Sequence, residues 1–262
     1  MSTERIIKKQ ALSYLSQDNW ATAIGGFFIL LLPPILIILF AGVCESISEY
    51  FSLGNFETPA IILINILIIL LYIFSTPIIT GYLRLCYHIA KVQDGSISDV
   101  FYYFKKGQYF RALSLNLRIM ALMLIYSIGI IAFISIFSSG YYTTGSIVFF
   151  YISIIISVIA VISLLFFFTQ YTVIPIIFFE DESLSVKEAI RYGKGFMKGK
   201  EKDTYTLFLT FFPYFVLCFF VIPWLFVFPY LMVSLMNNGK WIASLHLKSA
   251  QDDDVLPRGT NI

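Results

Sequence analysis

Charge is what this sequence has least of. Lys, Arg, Asp and Glu make up 13% of the 262 residues, about half the share of a soluble domain. With 58% hydrophobic residues, the chain cannot cover a water-facing surface with its own polar groups. That excludes a soluble enzyme, a disordered chain and a nucleic-acid-binding domain. The net charge of +2 supplies no field to attract polyanions. Cysteine is scarce too: Cys44, Cys86 and Cys218, an odd number with no C-x-x-C pair. Neither a disulfide framework nor a zinc site is supported, and the three read as small apolar packers. Of the two histidines, His88 follows Cys86 by two residues and His246 stands far from any cysteine, so neither makes a metal-ligand cluster. There is no H-E-x-x-H, no G-x-S-x-G and no glycine-rich phosphate loop. No metal site, cofactor or catalytic constellation is therefore expected.

What the sequence has in abundance is long apolar runs. A membrane-spanning helix needs about 20 apolar residues. Trp20–Val43, Pro59–Leu83, Leu115–Phe137 and Ile147–Phe179 qualify, the last long enough to tilt or project. Arg5, Lys8 and Lys9 ahead of the first run superficially suggest a signal peptide. The run itself exceeds an h-region of about 7–15 residues, so it reads as a retained span. The block Thr204–Met236 is too long for one span and holds Pro213, Pro223 and Pro229. Proline removes a backbone donor and clashes with the preceding turn, so a break is expected near Ile222-Pro223, giving six spans.

Charge placement agrees with six. The Cys44–Thr58 connection carries Glu45, Glu49 and Glu57 and no basic residue; the Ser138–Ser146 connection has no charge. Arg84, Lys91, Lys105, Lys106 and Arg111 gather in the Arg84–Ser114 connection, and Lys187, Arg191, Lys194, Lys198, Lys200 and Lys202 in Glu180–Asp203. The positive-inside rule makes that side cytoplasmic, with both termini inside.

The cytoplasmic segments show a helical apolar period. Ser185, a good N-cap, precedes Val186, Ala189, Ile190, Gly193, Phe196 and Met197, with Lys187, Arg191 and Lys194 opposite. Ser2 precedes Ile6, Ile7, Ala11, Tyr14 and Leu15, with Lys8 and Lys9 opposite; Ser98-Asp99 precedes Val100, Phe101, Phe104 and Phe110, with Lys105 and Lys106 opposite. Gly107 weakens the third. Each reads as an interfacial amphipathic helix, its apolar face in the acyl boundary and its basic face toward anionic headgroups. Each precedes a two-span hairpin whose second span carries a proline: Pro77, Pro175 or Pro229. The expected fold is therefore an all-α polytopic membrane protein. It has six transmembrane helices and three cytoplasmic interfacial helices, with a threefold internal repeat over about 2–87, 98–182 and 185–241. Residues 1–242 form a single membrane domain; 243–262, with Asp252–Asp254, form a disordered cytoplasmic tail.

Gly81-Tyr82-Leu83, Gly95, Ser98-Asp99-Val100-Phe101 and Phe104 resemble a bacterial six-span integral membrane family of unknown function, domain of unknown function nine-seven-five. Ala189-Ile190, Gly199-Lys200 and Pro229-Tyr230 fit it as well. The family looks related to the membrane domain of glycerophosphoryl diester phosphodiesterases, which implies no catalysis without a phosphodiesterase domain. The chain departs from it where Val221-Ile222-Pro223 replaces a glycine-rich turn, and where Gly199-Lys200-Glu201 replaces a helix-ending Gly-Asn-Lys. The resemblance implies a bacterial cytoplasmic membrane and no established activity.

A few polar residues fall near or inside the spans. Arg118 follows Arg111 by seven residues; snorkelling to the interface outweighs an anion contact for it. Asn65, Asn116 and Gln170 read first as interhelical hydrogen bonders and second as substrate contacts. Pro33-Pro34, Pro77 and Pro175 are expected to kink their helices. Every Asp and Glu lies in a loop, a terminus or an interfacial helix, which weakens a proton-coupled transporter and an intramembrane protease.

Three classes of function remain. The first is a non-enzymatic membrane factor binding lipid, chiefly anionic lipid, or a partner membrane protein, in envelope homeostasis or protection against membrane-active peptides. Its contacts would be Lys8, Lys9, Lys105, Lys106, Arg111, Arg118, Lys187, Arg191 and Lys194. The second is a small permease for a lipid or amphipathic molecule. The third, an intramembrane enzyme, would return only if His88, Arg84 and a carboxylate met in a pocket.

Overall fold

The computed structural model describes residues 3–15, 18–51, 57–105, 107–169, 171–217 and 221–255, and among these it contains helices and no strand. Lys106 and Gln170 lie outside the described residues. The helices are α1 (Thr3–Tyr14), α2 (Asp18–Phe51), α3 (Glu57–Ser75), α4 (Pro77–Val92), a 3-10 helix (Ile97–Phe101), α5 (Tyr102–Lys105) and α6 (Tyr109–Thr144). There follow α7 (Ile147–Thr169), α8 (Ile174–Glu180), α9 (Val186–Met197), α10 (Glu201–Leu209), α11 (Phe212–Leu217) and α12 (Val221–Val255).

Among the described residues, four stretches are long and apolar enough to cross a membrane: Asn19–Cys44, Ile62–Val92, Tyr109–Ile136 and Ile147–Leu164. They carry apolar side chains all round, so large residues such as Ile38, Leu63 and Ile125 stand about two-thirds exposed, at 69%, 69% and 68%. Water would not tolerate so much contiguous apolar surface. Acyl chains do, and a helix satisfies its own backbone there.

Proline places the breaks, though not always as kinks. Pro77 opens α4 after a turn at Thr76, and Pro175 sits in the first turn of α8. At that position the missing N–H costs nothing, because no intrahelical partner would exist. The apolar block 147–179 is thus two helices rather than one long span. Pro33 and Pro34 lie inside α2 and Pro229 inside α12. The block 204–236 breaks at Thr210-Phe211, with Pro213 in the first turn of α11, and α12 starts at Val221 with Pro223 in its own first turn. Helix α12 then continues to Val255, through much of the stretch expected as a disordered tail.

The chain divides into two compact units, a division that cuts across the three expected repeats. One comprises 8–116 and 214–234. Its core brings α2 onto α4: Phe27 stacks on Phe228 at 4.5 Å, and Tyr82 lies 6.1 Å from Phe228. Gly26 allows the approach, since a β-carbon there would come within 2.5 Å of Leu85. The other unit comprises 1–7, 117–213 and 235–262. In it Asn238 donates to the Thr204 hydroxyl at 2.8 Å, and Asn237 to the Ile7 carbonyl at 3.4 Å. All four residues are buried, so these bonds satisfy groups that have no water to turn to.

The three amphipathic segments differ from the interfacial helices expected. Ile7 and Ala11 of α1 and Leu15 just after it are 4%, 0% and 0% exposed, so that face is spent inside the protein. Helix α9 packs on α8: Val186, Ala189, Gly193 and Met197 are buried, and a β-carbon at Gly193 would meet Ile174 at 2.5 Å. The middle segment is not one helix. Helix α5 ends at Lys105, just before Gly107, whose φ of +68° glycine adopts without the strain a β-carbon brings. Val100 and Tyr103 are buried while Phe101, Phe104 and Phe110 remain exposed. This segment turns three phenylalanines outward, whereas α1 exposes Ile6 and Leu12 and α9 exposes Tyr192.

Candidate functional site

The densest polar grouping lies where α4 meets the 3-10 helix. Ser96 caps that helix: its hydroxyl accepts from the Ser98 N–H at 3.3 Å, and its own N–H donates to Asp99 Oδ2 at 3.3 Å. The same Oδ2 lies 3.0 Å from His88 Nδ1. Burial works to raise the Asp99 carboxyl pKa. The His88 bond and charge, the Ser96 N–H and the Arg84 guanidinium outweigh it and hold the carboxyl below its usual range. One turn before His88, Arg84 lays its guanidinium on the Tyr102 ring, 3.5 Å from the centroid. The neighbouring Tyr103 is 1% exposed. Burial drives its phenol pKa up, against the pull of Arg84 and Arg111.

Helix α6 delivers Arg111 to this group. Asn116, buried, donates to the Thr76 carbonyl at 2.9 Å and to the Thr80 hydroxyl at 2.8 Å. These two bonds tie the first turns of α6 to the start of α4. Arg111 Nη1 donates to Gln108 Oε1 at 3.3 Å. Close by, the Tyr109 hydroxyl donates to the Phe74 carbonyl at 2.8 Å, and its ring lies between Phe104 and Phe110 at 5.4 and 5.5 Å.

The geometry thus unites His88, Arg84 and a carboxylate, the combination that would revive an enzymatic reading. Each member already has a structural task. Asp99 accepts from the cap and faces His88, and Arg84 stacks on Tyr102. Among the described residues, no three His, Cys, Asp or Glu side chains stand together in a way that could hold a metal ion.

A second group is the basic face of α9. Ser185 caps the helix reciprocally: its N–H and hydroxyl donate to Glu188 Oε2 at 3.0 and 2.6 Å, and the Glu188 N–H returns to Ser185 Oγ at 3.3 Å. Those bonds hold the Glu188 carboxyl below its ordinary pKa. Lys187, Arg191 and Lys194 are exposed along the face away from α8. Lys194 reaches over Tyr171 at 5.2 Å, and Arg191 lies 5.2 Å from the Tyr192 ring.

The remaining sequence candidates scatter. Lys8 sits 4.7 Å over the Tyr214 ring, its carbonyl accepts from Tyr230 at 3.2 Å, and burial lowers its ammonium pKa. Lys9 is exposed, Lys105 closes α5, and Asn65 and Arg118 stand on exposed faces of α3 and α6. Exposure of Arg118 suits snorkelling. Sequence reasoning missed Tyr102, Tyr103, Thr76, Thr80, Asn237, Asn238 and Thr204. The Arg84/His88 pair at i,i+4 on one helix face was the available signal.

One cavity stands out, an open groove of about 600 Å³ between α2 and α3. Leu32, Pro33, Leu36, Phe40, Val43 and Leu71 line it, with Ser75 at one end and no ionisable side chain.

The sequence profile of the family described as Protein of unknown function (DUF975) matches residues 1–245. No curated protein and no solved structure matches the chain.

Proposed function

The chain belongs to that family of unknown function, and from this premise we propose that it is a non-enzymatic integral membrane factor whose basic cytoplasmic surface engages anionic lipid headgroups. The reading places it in a bacterial cytoplasmic membrane with six spans and both termini inside. Four crossing helices, Glu45, Glu49 and Glu57 on one side and the lysine-rich segments on the other support that orientation. Envelope homeostasis, or protection against membrane-active peptides, is the physiological setting such a surface suits.

One observation carries the reading. Helix α9 presents Lys187, Arg191 and Lys194 outward while its opposite face is fixed on α8 and its start is capped. A basic row held rigidly in this way loses little conformational freedom on meeting anionic headgroups, each charge contributing about 1 kcal/mol near such a surface. The outward Phe101, Phe104 and Phe110 suit the same interface from the middle segment. A partner membrane protein with an acidic cytoplasmic face would read the same row.

The test is co-flotation of the protein, held in amphipol, with liposomes. Binding to phosphatidylglycerol liposomes should exceed binding to phosphatidylcholine liposomes and weaken as salt rises. Reversing Lys187, Arg191 and Lys194 to Glu should remove most of the difference. Unchanged binding in that variant would discard the mechanism.

A further inference from the structure

The groove between α2 and α3 and the Arg84–Arg111 grouping belong to the same compact unit. They are also joined in sequence and space. Ser75 ends the groove's lining; Phe74, beside it, accepts the Tyr109 hydroxyl at 2.8 Å; and Arg111 follows Tyr109 by two residues. On the other side, α4 starts directly after Ser75 and brings Arg84 up about two turns later.

We infer that this juxtaposition is a site for one phosphate-bearing lipid, its chain in the α2–α3 groove and its phosphate against Arg84 and Arg111. The inference deepens the lipid reading above and rests on it. The groove is apolar along its length and runs from Leu32 to Val43 on α2. At 1.5 Å per residue that is about 16 Å of chain. Its walls face outward, with Leu36 54% and Leu39 60% exposed, so an acyl chain enters sideways from the bilayer without crossing a polar barrier. Pro33 and Pro34 sit within the helix that forms one wall.

The polar end has the chemistry of a phosphate site. Arg84 lies 3.5 Å over the Tyr102 ring of α5, the Phe104 ring of the same short helix lies 5.4 Å from Tyr109, and Arg111 stands two residues beyond Tyr109 and bonds Gln108 at 3.3 Å, so α5 bridges the two arginines. Arginine presents paired donors that match phosphate oxygens. The group contains one carboxylate, Asp99, whose Oδ2 is already occupied by His88 and the Ser96 N–H. Positive charge is therefore in excess at the end of an apolar groove, the layout of a phospholipid in reverse. Free phosphate shares the polar chemistry but has nothing to place in the groove.

Native mass spectrometry of the full chain in detergent separates these sources. It would be titrated in parallel with phosphatidylglycerol, with a diacylglycerol of the same chains and with inorganic phosphate. Phosphatidylglycerol should bind one equivalent at least about tenfold more tightly than either of the others, since each lacks one half of the match. Arg111→Gln, which leaves the Tyr102 stack in place, should weaken phosphatidylglycerol about tenfold and leave diacylglycerol unchanged. Leu36→Trp, filling the groove, should weaken both lipids. Equal binding of diacylglycerol and phosphatidylglycerol, indifference to both substitutions, or inorganic phosphate binding as tightly as the lipid would each overturn the site. The Lys187, Arg191 and Lys194 reversal should leave this single equivalent intact. Failure of that variant to change liposome flotation would count against the surface reading alone, whereas failure of Arg111→Gln and Leu36→Trp would count against the site alone.

Discussion

At the residue scale the decisive position is Gly81. A β-carbon there would lie 1.9 Å from the Val100 carbonyl oxygen and 2.9 Å from its Cα. Backbone on the far side cannot swing away as a side-chain tip can. Gly81→Ala should therefore push the 3-10 helix off α4 and, with it, the Asp99–His88 and Arg84–Tyr102 contacts. Overpacking of this kind costs about 1–3 kcal/mol, and the measure is a lowered thermal midpoint in detergent. Gly42→Ala is the control, because nothing lies within 4 Å of a β-carbon at that site. An unchanged midpoint for Gly81→Ala would mean the close packing of α4 on the 3-10 helix is not maintained. Gly81 was visible in the sequence as part of Gly81-Tyr82-Leu83, but only as a resemblance. What makes glycine necessary is a carbonyl nineteen residues later, and no local pattern encodes that. Asn116 is a similar case. Its interhelical role was legible from an amide within an apolar run, whereas its partners, Thr76 and Thr80, became visible only once α4 and α6 were paired.

At the element scale, the sequence period was a good guide to which residues share a face and a poor guide to what covers that face. Helix α9 forms where Ser185 and the apolar spacing put it, because a capping box and a helical stripe are local properties. That its stripe meets α8 rather than acyl chains depends on Gly193 and Ile174 coming together, a tertiary fact. The middle segment shows the converse. Its apolar positions have helical spacing, yet Gly107 ends the helix and the segment is held instead by Ser96, Asp99 and His88. That pinning has a pH signature. The Asp99 carboxyl is held below its unfolded value of about 3.9, so its contribution to stability is present above that value. It is lost as pH falls through the lower, folded pKa. Between pH 6 and pH 3 the natural chain should lose more thermal stability than Asp99→Asn, which has no such ionisation to lose. Parallel melting curves in detergent decide it: equal losses would mean the Asp99 charge does not hold the 3-10 helix.

At the scale of the whole molecule, topology rests on where the few charges are. If the four candidate helices all cross, 171–203 with its lysines falls on the same side as the N-terminus, as the positive-inside rule asks. The segment from Glu201 to Met236 is harder to read. Pro213 and Pro223 open helices instead of turning a hairpin and Pro229 lies inside α12, so α10, α11 and the first part of α12 stand where the sequence suggested two spans. A short apolar helix is not distinguishable by composition from half of a span, which is why this stretch was the least legible. Six spans require residue 222 to face outside; a re-entrant arrangement leaves it on the inner side or buried in the bilayer. The experiment starts from a chain in which Cys44, Cys86 and Cys218 are replaced by Ser. Single cysteines are then introduced as Thr143→Cys, Ser183→Cys and Ile222→Cys. All three positions are exposed, Ile222 at 71%, so protection reflects the membrane and not burial in the protein. A membrane-impermeant maleimide added to intact cells should label Thr143→Cys and spare Ser183→Cys. Labelling of Ile222→Cys under the same conditions is the expected result and fixes six spans with both termini inside. Protection of Ile222→Cys in intact cells would leave four spans.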